Sequence, residues 1–481
     1  MVHMRRQPVI SALDPTNRRS LASMTHVRTA FLEELATLLA PAELITDPDI
    51  IEPYSRDRAE GAKPGLPIAV VRARTTGDVR ATIATATRHH VPVVTRGAGT
   101  GLSGGASAID GCVVLSTERM RLISVDAASM VAVAQPGVLN VEVKEAARAC
   151  GLWYPPDPSS FEISSIGGNV ATNAGGLCCV KYGVTGDYVL AVEVVLADGT
   201  TVRLGRNTIK DVAGYDLKRL FIGSEGTLGV ITEVTLRLRS SPPPAATLVA
   251  TFPSVHAAST AITAIMATVQ PSMLELMDRT TIRAVERLTH MGFDESCGAV
   301  LLAQTDNGAA QGESDIAQIR LECEAAGADY VATTSDATEG EQLMAARRMA
   351  VPALQRLGTT MIEDIGVPLP RVADLVTGIE EIAKQYETTI ATFGHAGDGN
   401  LHPLILWNHA DPDATGRCEH AFAAVMDLAL TLGGTITGEH GIGTLKRPWL
   451  AAQLGPDTME LARRIKTALD PMGILNPGKA V

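Results

Sequence analysis

The seven cysteines of this 481-residue chain show no Cys-x-x-Cys spacing. This absence excludes an evident iron–sulfur ligand run or zinc knuckle, and the cysteine usage fits a reducing compartment. No apolar run approaches the roughly 20 residues that a membrane-spanning helix needs, and no secretory signal pattern is visible. The sequence therefore predicts a cytoplasmic protein, and peripheral contact with a membrane stays open.

Aromatic residues and positive charge are also scarce. Aromatics make up 4% of the chain against 46% for all hydrophobic residues, so we expect a core of Ala, Val, Leu and Ile. The formal net charge of -12 argues against a general nucleic-acid or anionic-membrane surface. The length predicts two or three domains.

A proline-rich linker, Ser240-Ser241-Pro242-Pro243-Pro244, divides the chain. Before it, we expect a disordered tail over 1–24 and a first domain over 25–241, rich in short strands and glycine loops. After it, strands and helices alternate over 245–412, which predicts an α+β domain whose antiparallel sheet is covered by helices. Residues 413–481 are predicted to form a C-terminal helical segment.

Three loops of small residues lie at strand ends in the first domain. The first, RGAGTGLSGGA at 96–106, contains Gly-x-Gly-x-x-Gly. A turn and a strand follow it, whereas a Rossmann loop would open a helix. The second loop is IGGNVATNAGG at 166–176, and the third runs through 212–231 into a strand. Such loops suit a pyrophosphate and together predict one long ligand cradle; ordinary loop chemistry in a β-rich domain is the alternative.

Two histidines flank a predicted hairpin in ATFGHAGDGNLHPLIL at 391–406. Asp-Gly between β-prone runs is a strong hairpin signal. Facing residues on paired strands lie roughly 5 Å apart, so His395 and His402 can converge on one ion. Glu439, in the downstream Gly-Glu-His-Gly at 438–441, can supply an oxygen ligand and leave an open position. The alternative is that both histidines only pack.

A series of motifs, in order and suitably spaced, resembles the FAD-linked 2-hydroxyacid dehydrogenases of the vanillyl-alcohol-oxidase superfamily. The motifs are VVTRGAGTGLSGGA (93–106), PPDPSS (155–160), SIGGNVATNAGG (165–176), YDLKRLFIGSEGTLGVIT (215–232), FGHAGDGNLHP (393–403), GEHGIGTLK (438–446) and LNPGK (475–479). The resemblance covers roughly residues 45–481. It implies an α+β fold in which a PCMH-type FAD-binding domain of two α+β subdomains precedes a substrate-binding cap domain. The C-terminal helices would return to the FAD domain.

The resemblance also implies which residues hold the FAD. The matching positions are Arg96, Gly97, Ala98, Gly99, Thr100, Gly101, Ser103, Pro156, Asp157, Ser160, Ile166, Gly167, Gly168, Asn169, Thr172, Gly176, Glu225, Gly226, Gly229, Ile231 and Asn476. No histidine lies within the first glycine loop, so we expect the FAD to be bound non-covalently.

The implied reaction oxidises a 2-hydroxyacid, with loss of the hydroxyl proton and transfer of a hydride to flavin N5. A divalent metal on His395, His402 and Glu439 would lower the pKa of the hydroxyl, and His440 would take the proton.

Arg347 matches the family's carboxylate-binding arginine; a solvated helix charge is the alternative. Zinc is favoured, and manganese or iron also fit. On another scaffold the same triad would mean an iron(II) oxygenase, which the glycine loops disfavour.

Two differences from D-2-hydroxyglutarate dehydrogenases favour a short substrate. D-2-hydroxyglutarate dehydrogenases carry an asparagine and a lysine at the places where this chain has Leu404 and Asp364, so two polar partners for a distal carboxylate are missing here. In addition, EDIGVPLP at 363–370 resembles the lactate-type pattern. We expect D-lactate first and glycolate second, with D-2-hydroxyglutarate as a further alternative. Met344 stands where a tryptophan often precedes the arginine, and Lys446 matches a family motif without an assigned role.

The chain has no cluster ligands of its own, so its electrons must go to an external acceptor. A quinone, a cytochrome, an electron-transferring flavoprotein and an iron–sulfur subunit all fit. The runner-up is therefore the FAD subunit of a glycolate dehydrogenase that works with an iron–sulfur partner. A flavin- and metal-binding scaffold without turnover, and a homodimer, also stay open.

Overall fold

The computed structural model describes residues 15–408 and 410–480, with side chains from residue 27 onward. Residues 1–14 of the predicted tail lie outside the described residues. Helix α1 spans Pro15–Leu38, so helical structure begins before residue 25, where the sequence predicts the first domain to start. Proline at the first helical position favours a helix start.

The first sheet carries the first glycine loop. Its strands are β1 (Leu44–Ile45), β2 (Ala69–Arg72), β3 (Val93–Arg96) and β4 (Val113–Ser116), in the order β1-β2-β4-β3. The nearby helices are α2 (Pro48–Ile51), a 3₁₀ helix at Glu52–Tyr54, and α3 (Thr76–His89). β4 pairs in parallel with both β2 and β3. The glycine loop runs from β3 directly to β4 without opening a helix, which confirms that it is not a Rossmann loop.

A second, antiparallel sheet completes the first domain. Its strands are β5 (Ile123–Asp126), β6 (Val131–Ala134), β8 (Val189–Val195), β9 (Thr201–Gly205) and β10 (Val230–Arg237), in the order β5-β6-β10-β8-β9; β7 (Leu152–Trp153) pairs separately with β11 (Arg239–Ser240). The helices are α4 (Asn140–Ala149), α5 (Ile166–Thr172), α6 (Cys179–Tyr182), a 3₁₀ helix at Thr185–Asp187, and α7 (Lys218–Phe221). The two sheets match the two predicted subdomains.

The second glycine loop was predicted wrongly as irregular over its whole length, because its first part is helix α5. Ser165 caps this helix by accepting from the N–H of Gly168. Gly167 is needed for close packing, since a Cβ there would lie 2.4 Å from the Cβ of Pro136. Two glycines lower helix propensity, but here the cap and the packing decide the local structure.

The cap domain is built on one antiparallel sheet. Its strands are β12 (Ala246–Phe252), β13 (Met273–Asp278), β14 (Ala299–Thr305), β15 (Tyr330–Thr334), β16 (Thr359–Ile362), β17 (Ile365–Gly366), β18 (Thr389–His395) and β19 (Asn400–Trp407). The order is β15-β12-β14-β13-β18-β19-β16, with β17 also paired to β19. Helices α8 (Val255–Thr268), α9 (Arg279–Thr289), α10 (Ala309–Ala325), α11 (Ala337–Arg348), α12 (Ala350–Gln355) and α13 (Val372–Gln385) cover it, with a 3₁₀ helix at Leu369–Arg371. α11 and α12 are separate helices, because Pro352 has no N–H for the carbonyl of Arg348.

The C-terminal segment divides between the two domains. Helix α14 (Ala414–Thr431) packs into the cap core, where Phe422 and Met426 share a cluster with the cap strands. The prediction that all of 413–481 packs on the FAD domain is therefore wrong for α14. Helix α15 (Arg447–Leu469) does return, since its Lys466 donates to the carbonyl of Thr227 at 2.7 Å. Within the described part of the chain, no helix combines the length and apolar character needed to cross a bilayer.

A buried aspartate, Asp278, joins α9 to the hairpin strand β18. It accepts from the N–H and hydroxyl of Thr281 at 2.8 and 2.7 Å and from the N–H of Thr392 at 2.9 Å. Asp278→Ala leaves these donors unpaired and is expected to lower the free energy of unfolding by about 1–3 kcal/mol, measured by urea denaturation. Asp294→Ala, in an exposed turn, is the control. Equal midpoints for the two variants would contradict this role.

Candidate active site

One continuous cavity of about 1410 Å³ runs between the first domain and the cap. Its lining includes Arg347, Phe393, His402, Glu439 and His440. The predicted cofactor residues in its lining are Gly97, Ala98, Gly99, Thr100, Gly101, Ser103, Asp157, Ser160, Gly167, Gly168, Asn169, Thr172, Glu225, Gly226, Gly229 and Ile231. The three glycine segments therefore meet in one place, as the sequence predicts.

The remaining predicted cofactor residues lie behind the cavity wall: Arg96, Pro156, Ile166, Gly176 and Asn476. Asn476 donates to the carbonyls of Gly105 and Glu225 at 3.0 and 2.7 Å, and so joins the first and third glycine segments. Arg96 donates to the carbonyl of Arg56 at 2.7 Å. These two side chains hold the shape of the wall, and contact of Arg96 and Asn476 with the cofactor stays a prediction.

The wall fits an extended dinucleotide such as FAD because backbone atoms, rather than side chains, form much of it. A Cβ on Gly97 would lie 2.3 Å from the hydroxyl oxygen of Ser165. The same hydroxyl accepts from the N–H of Ala98 at 3.2 Å, so the loop lies directly against the start of α5. This close approach leaves room for a ligand along the backbone.

The predicted histidine hairpin is confirmed, with one difference in register. His395 lies opposite Asn400 and His402 opposite Phe393, so the two histidines are diagonal neighbours. Their ring centroids are 5.1 Å apart, because diagonal side chains on one face of a hairpin are still within reach.

Three imidazoles converge on Glu439. Its Oε1 lies 3.6 Å from Nε2 of His395, 3.4 Å from Nε2 of His402 and 3.7 Å from Nε2 of His440. The Nε2 atom of His395 is buried and has no hydrogen-bond partner within the described residues. These spacings are too long for hydrogen bonds and suit ligands around a small cation. His395, His402 and Glu439 could therefore hold a divalent metal.

The opposite ring nitrogens of the two hairpin histidines are already engaged. Nδ1 of His395 lies 2.7 Å from Oε1 of Glu275, and Nδ1 of His402 lies 3.3 Å from the carbonyl of Glu363. Such contacts fix the ring orientation and direct Nε2 toward a metal. Sequence reasoning missed Glu275, although a carboxylate between the apolar residues Leu274 and Leu276 of strand β13 was a signal.

The buried charges in this cluster depend on one another. Burial lowers the pKa of His402 to about 3, and burial also lowers that of His440. Burial raises the pKa of Glu439, but the imidazoles around it lower it more, to about 2. Burial lowers the pKa of His395, yet Glu275 and Glu439 raise it well above its usual value. A positive charge is thus favoured between Glu275 and Glu439, where a bound cation would also lie.

A second group of metal-ligating atoms, from Asp364, His402 and His440, is also close together. Asp364 is less available, since its Oδ1 accepts from Asn400 at 2.7 Å and its Oδ2 accepts from the loop at 437–440. The first group is therefore the better candidate for a metal.

Arg347 is buried at the cavity, 5% exposed, and its guanidinium lies 4.7 Å from the ring centroid of Phe393. Its Nε donates to Oε2 of Glu275 at 2.8 Å. Arg348 is exposed and forms an ion pair with Glu341. The alternative that Arg347 is a solvated helix charge is therefore wrong.

The residues predicted to set substrate size lie elsewhere. Leu404 and Met344, which lies on α11, are fully buried in one hydrophobic cluster, and Asp364 accepts from the loop after α14. Ile362 lines the cavity instead. Asp364 is fully buried and is not part of the cavity lining, so its position gives no support to a contact with a distal carboxylate.

The fold and the site together define an FAD-dependent oxidoreductase. Residues 67–205 match the family described as FAD binding domain, and 241–480 match the family described as FAD linked oxidases, C-terminal domain. The solved structure of p-cresol methylhydroxylase with substrate bound has a TM-score of 0.81 at 17% identity, covering 95% of this chain and 97% of that one. An alkyldihydroxyacetonephosphate synthase has a TM-score of 0.72 at 19% identity, covering 93% and 84%. The predicted PCMH-type fold is confirmed.

Curated relatives give the family. The glycolate oxidase subunit GlcD of Bacillus subtilis is 43% identical over 86% of this chain and 89% of its own length. GlcD of Escherichia coli K12 is 39% identical over 94% and 91%, and a D-lactate dehydrogenase of Archaeoglobus fulgidus is 36% identical over 86% and 91%. The chain therefore belongs to the FAD-linked oxidase family.

Gly97 provides a test of the cofactor wall. Gly97→Ala would force the first loop away from Ser165 and is expected to weaken FAD binding roughly tenfold, about 1.4 kcal/mol, measured by flavin absorbance after dialysis. Gly416→Ala is the control, because Gly416 lies in α14 with nothing within 4 Å of an added Cβ. Full FAD retention by Gly97→Ala would contradict the assignment of this loop.

Proposed function

We propose that this protein oxidises a short D-2-hydroxyacid to the 2-oxoacid, with D-lactate favoured and glycolate second. One observation carries the proposal: a single cavity joins the glycine segments to a buried arginine and an imidazole–carboxylate cluster. Relatives that are named D-lactate dehydrogenase and glycolate oxidase subunit support this substrate class.

Arg347 would bind the substrate carboxylate. Its Nε is held by Glu275, which leaves the two Nη atoms for a paired contact with a carboxylate. Burial of this guanidinium strengthens such a contact, because little water competes for it.

His440 would accept the hydroxyl proton. Its side chain is 15% exposed, and its Nδ1 has no hydrogen-bond partner among the described residues. Burial lowers its pKa, so the ring is neutral and able to accept a proton near neutral pH. Bound FAD would accept the hydride.

His395, His402 and Glu439 would hold the divalent cation, with zinc favoured and manganese or iron as alternatives. A cation there would lower the pKa of the substrate hydroxyl. The unpartnered Nε2 of His395 supports this assignment, and these ligands leave an open coordination position for the substrate.

Apolar side chains support a small substrate. Met273, Val351, Ile362 and Phe393 line the cavity beside Arg347. The neighbouring Arg348 also lines it but is paired with Glu341. A second carboxylate, as in D-2-hydroxyglutarate, would have to displace that pair, so a single-carboxylate acid fits better.

The electrons would pass to an external acceptor. A second candidate function is the FAD subunit of a glycolate dehydrogenase with an iron–sulfur partner, favoured by the relatives named as subunits. A quinone, a cytochrome or an electron-transferring flavoprotein are the other acceptor classes, and a homodimer stays a prediction.

The substrate proposal is tested by mixing the FAD-loaded protein anaerobically with D-lactate, L-lactate, glycolate or D-2-hydroxyglutarate. We expect D-lactate to bleach the flavin absorption band fastest, because one arginine and an apolar wall suit its size. Fastest bleaching by glycolate would favour the second candidate. A flavin band that no acid bleaches, in metal-supplemented protein, would contradict the proposal.

Two histidine variants separate the metal site from the base. His395→Ala is expected to lose the metal and keep FAD, measured by elemental analysis and absorbance. His440→Ala is expected to keep FAD and metal yet lower kcat by about 10²–10⁴-fold. Unchanged turnover in His440→Ala would remove it as the base, and FAD loss with intact metal in His395→Ala would contradict the division of roles.

A further inference from the structure

Asp364 is a fully buried carboxylate that does not line the cavity. Its Oδ2 accepts from the hydroxyl of Thr437 at 2.7 Å and from the backbone N–H groups of Gly438, Glu439 and His440 at 2.9, 2.9 and 2.8 Å. Two of these N–H groups belong to the proposed metal ligand and the proposed base. One oxygen thus holds the backbone from which both functional side chains project.

The other oxygen of Asp364 reaches the histidine hairpin. Oδ1 accepts from Nδ2 of Asn400 at 2.7 Å, and Asn400 begins strand β19, which carries His402. The same amide group donates to the carbonyl of Ile365 at 3.1 Å. Asp364 therefore links the two parts of the chain that supply the metal-ligating side chains.

Lys446 supports this buried negative charge. Its Nζ donates to the backbone carbonyl of Asp364 at 3.0 Å and lies 3.7 Å from Oδ2 of Asp364 and 3.9 Å from Oε2 of Glu363. A buried carboxylate without a nearby cation would be costly. The role of Lys446 in the structure is therefore to offset this buried charge, a role that its sequence motif alone does not reveal.

We propose that Asp364, supported by Lys446, is a positioning residue that fixes Glu439 and His440 against the histidine hairpin. The proposal rests on the metal and base roles proposed above. The loop needs such an anchor because it contains Gly438, Gly441 and Gly443, the last two with φ of +85° and +52°. Glycines leave the backbone many conformations, and N–H bonds to a charged acceptor are strong enough to select one.

Asp364→Asn tests the proposal, because it keeps the shape but removes the charge and one acceptor oxygen. We expect the affinity of metal-free, FAD-loaded protein for Zn²⁺ to fall roughly 10–100-fold, as for other residues that orient metal ligands, measured by calorimetry. Turnover should fall mainly in kcat, with a smaller change in KM, since Arg347 is untouched.

Asp278→Asn is the matched control. Asp278 is also a buried carboxylate that accepts from backbone N–H groups, one in α9 and one in β18, but it neither bonds to the loop at 437–443 nor lines the cavity. We expect both variants to have a lower melting temperature and only Asp364→Asn to lose Zn²⁺ affinity. Equal losses of affinity would reduce Asp364 to a general stabilising role and overturn the proposal.

Thr437 supplies a milder pair of variants if Asp364→Asn does not fold. Thr437→Val removes one of the donors to Asp364 and should weaken Zn²⁺ binding roughly threefold to tenfold, whereas Thr437→Ser keeps the hydroxyl and should restore it. Unchanged affinity in Thr437→Val would overturn the proposal. A wild-type protein that binds no Zn²⁺, Mn²⁺ or Fe²⁺ would instead contradict the proposed metal function itself.

Discussion

The ion pairs of Glu275 fix the relative positions of Arg347 and His395 in the cap domain. This carboxylate lies at the centre of the cap sheet, 1% exposed, with one oxygen on Arg347 and the other on His395. Burial raises its pKa, but His395 and Arg347 lower it more, so it stays ionised. Because one rigid group holds both partners, the proposed carboxylate anchor Arg347 and the proposed metal ligand His395 keep a fixed separation. Under the proposed function, that separation would match the short distance between the carboxylate and the hydroxyl of a 2-hydroxyacid.

The loop at 437–443 connects the cap to the first domain. Asp364 holds its beginning, while Ser103 donates to the carbonyl of Gly441 at 2.8 Å and Glu225 accepts from the N–H groups of Ile442 and Gly443, each at 2.8 Å. Ser103 and Glu225 were predicted to bind cofactor, and they do line the cavity, but their side chains hold this loop. The proposed base is therefore positioned by both domains at once.

Local sequence patterns predicted the features that depend on neighbouring residues in the chain. The histidine hairpin and the meeting of the glycine segments in one cavity follow from turn chemistry and strand alternation, although the second segment begins as helix α5. The roles of Glu275 and Asp364 could not be predicted in this way. Glu275 meets His395 only because β13 pairs with β18, and the two residues are 120 positions apart in the chain. Strand order is decided by packing of the whole sheet, which a local pattern does not contain.

The two domains contribute different kinds of atoms to one cavity. The first domain supplies much of its wall as backbone, which explains why its sequence signal is a series of glycines. The cap supplies titratable side chains: Glu275 and the carbonyl of Glu363 contact the rings of His395 and His402, and Asp364 accepts from the backbone N–H of His440 in the adjoining loop. Side chains such as Val351 and Ile362 line the cavity without taking part in this network. Under the proposed function, substrate size could therefore change at those two positions while the proposed catalytic and metal-binding side chains stay in place, which would let one fold serve several small hydroxyacids.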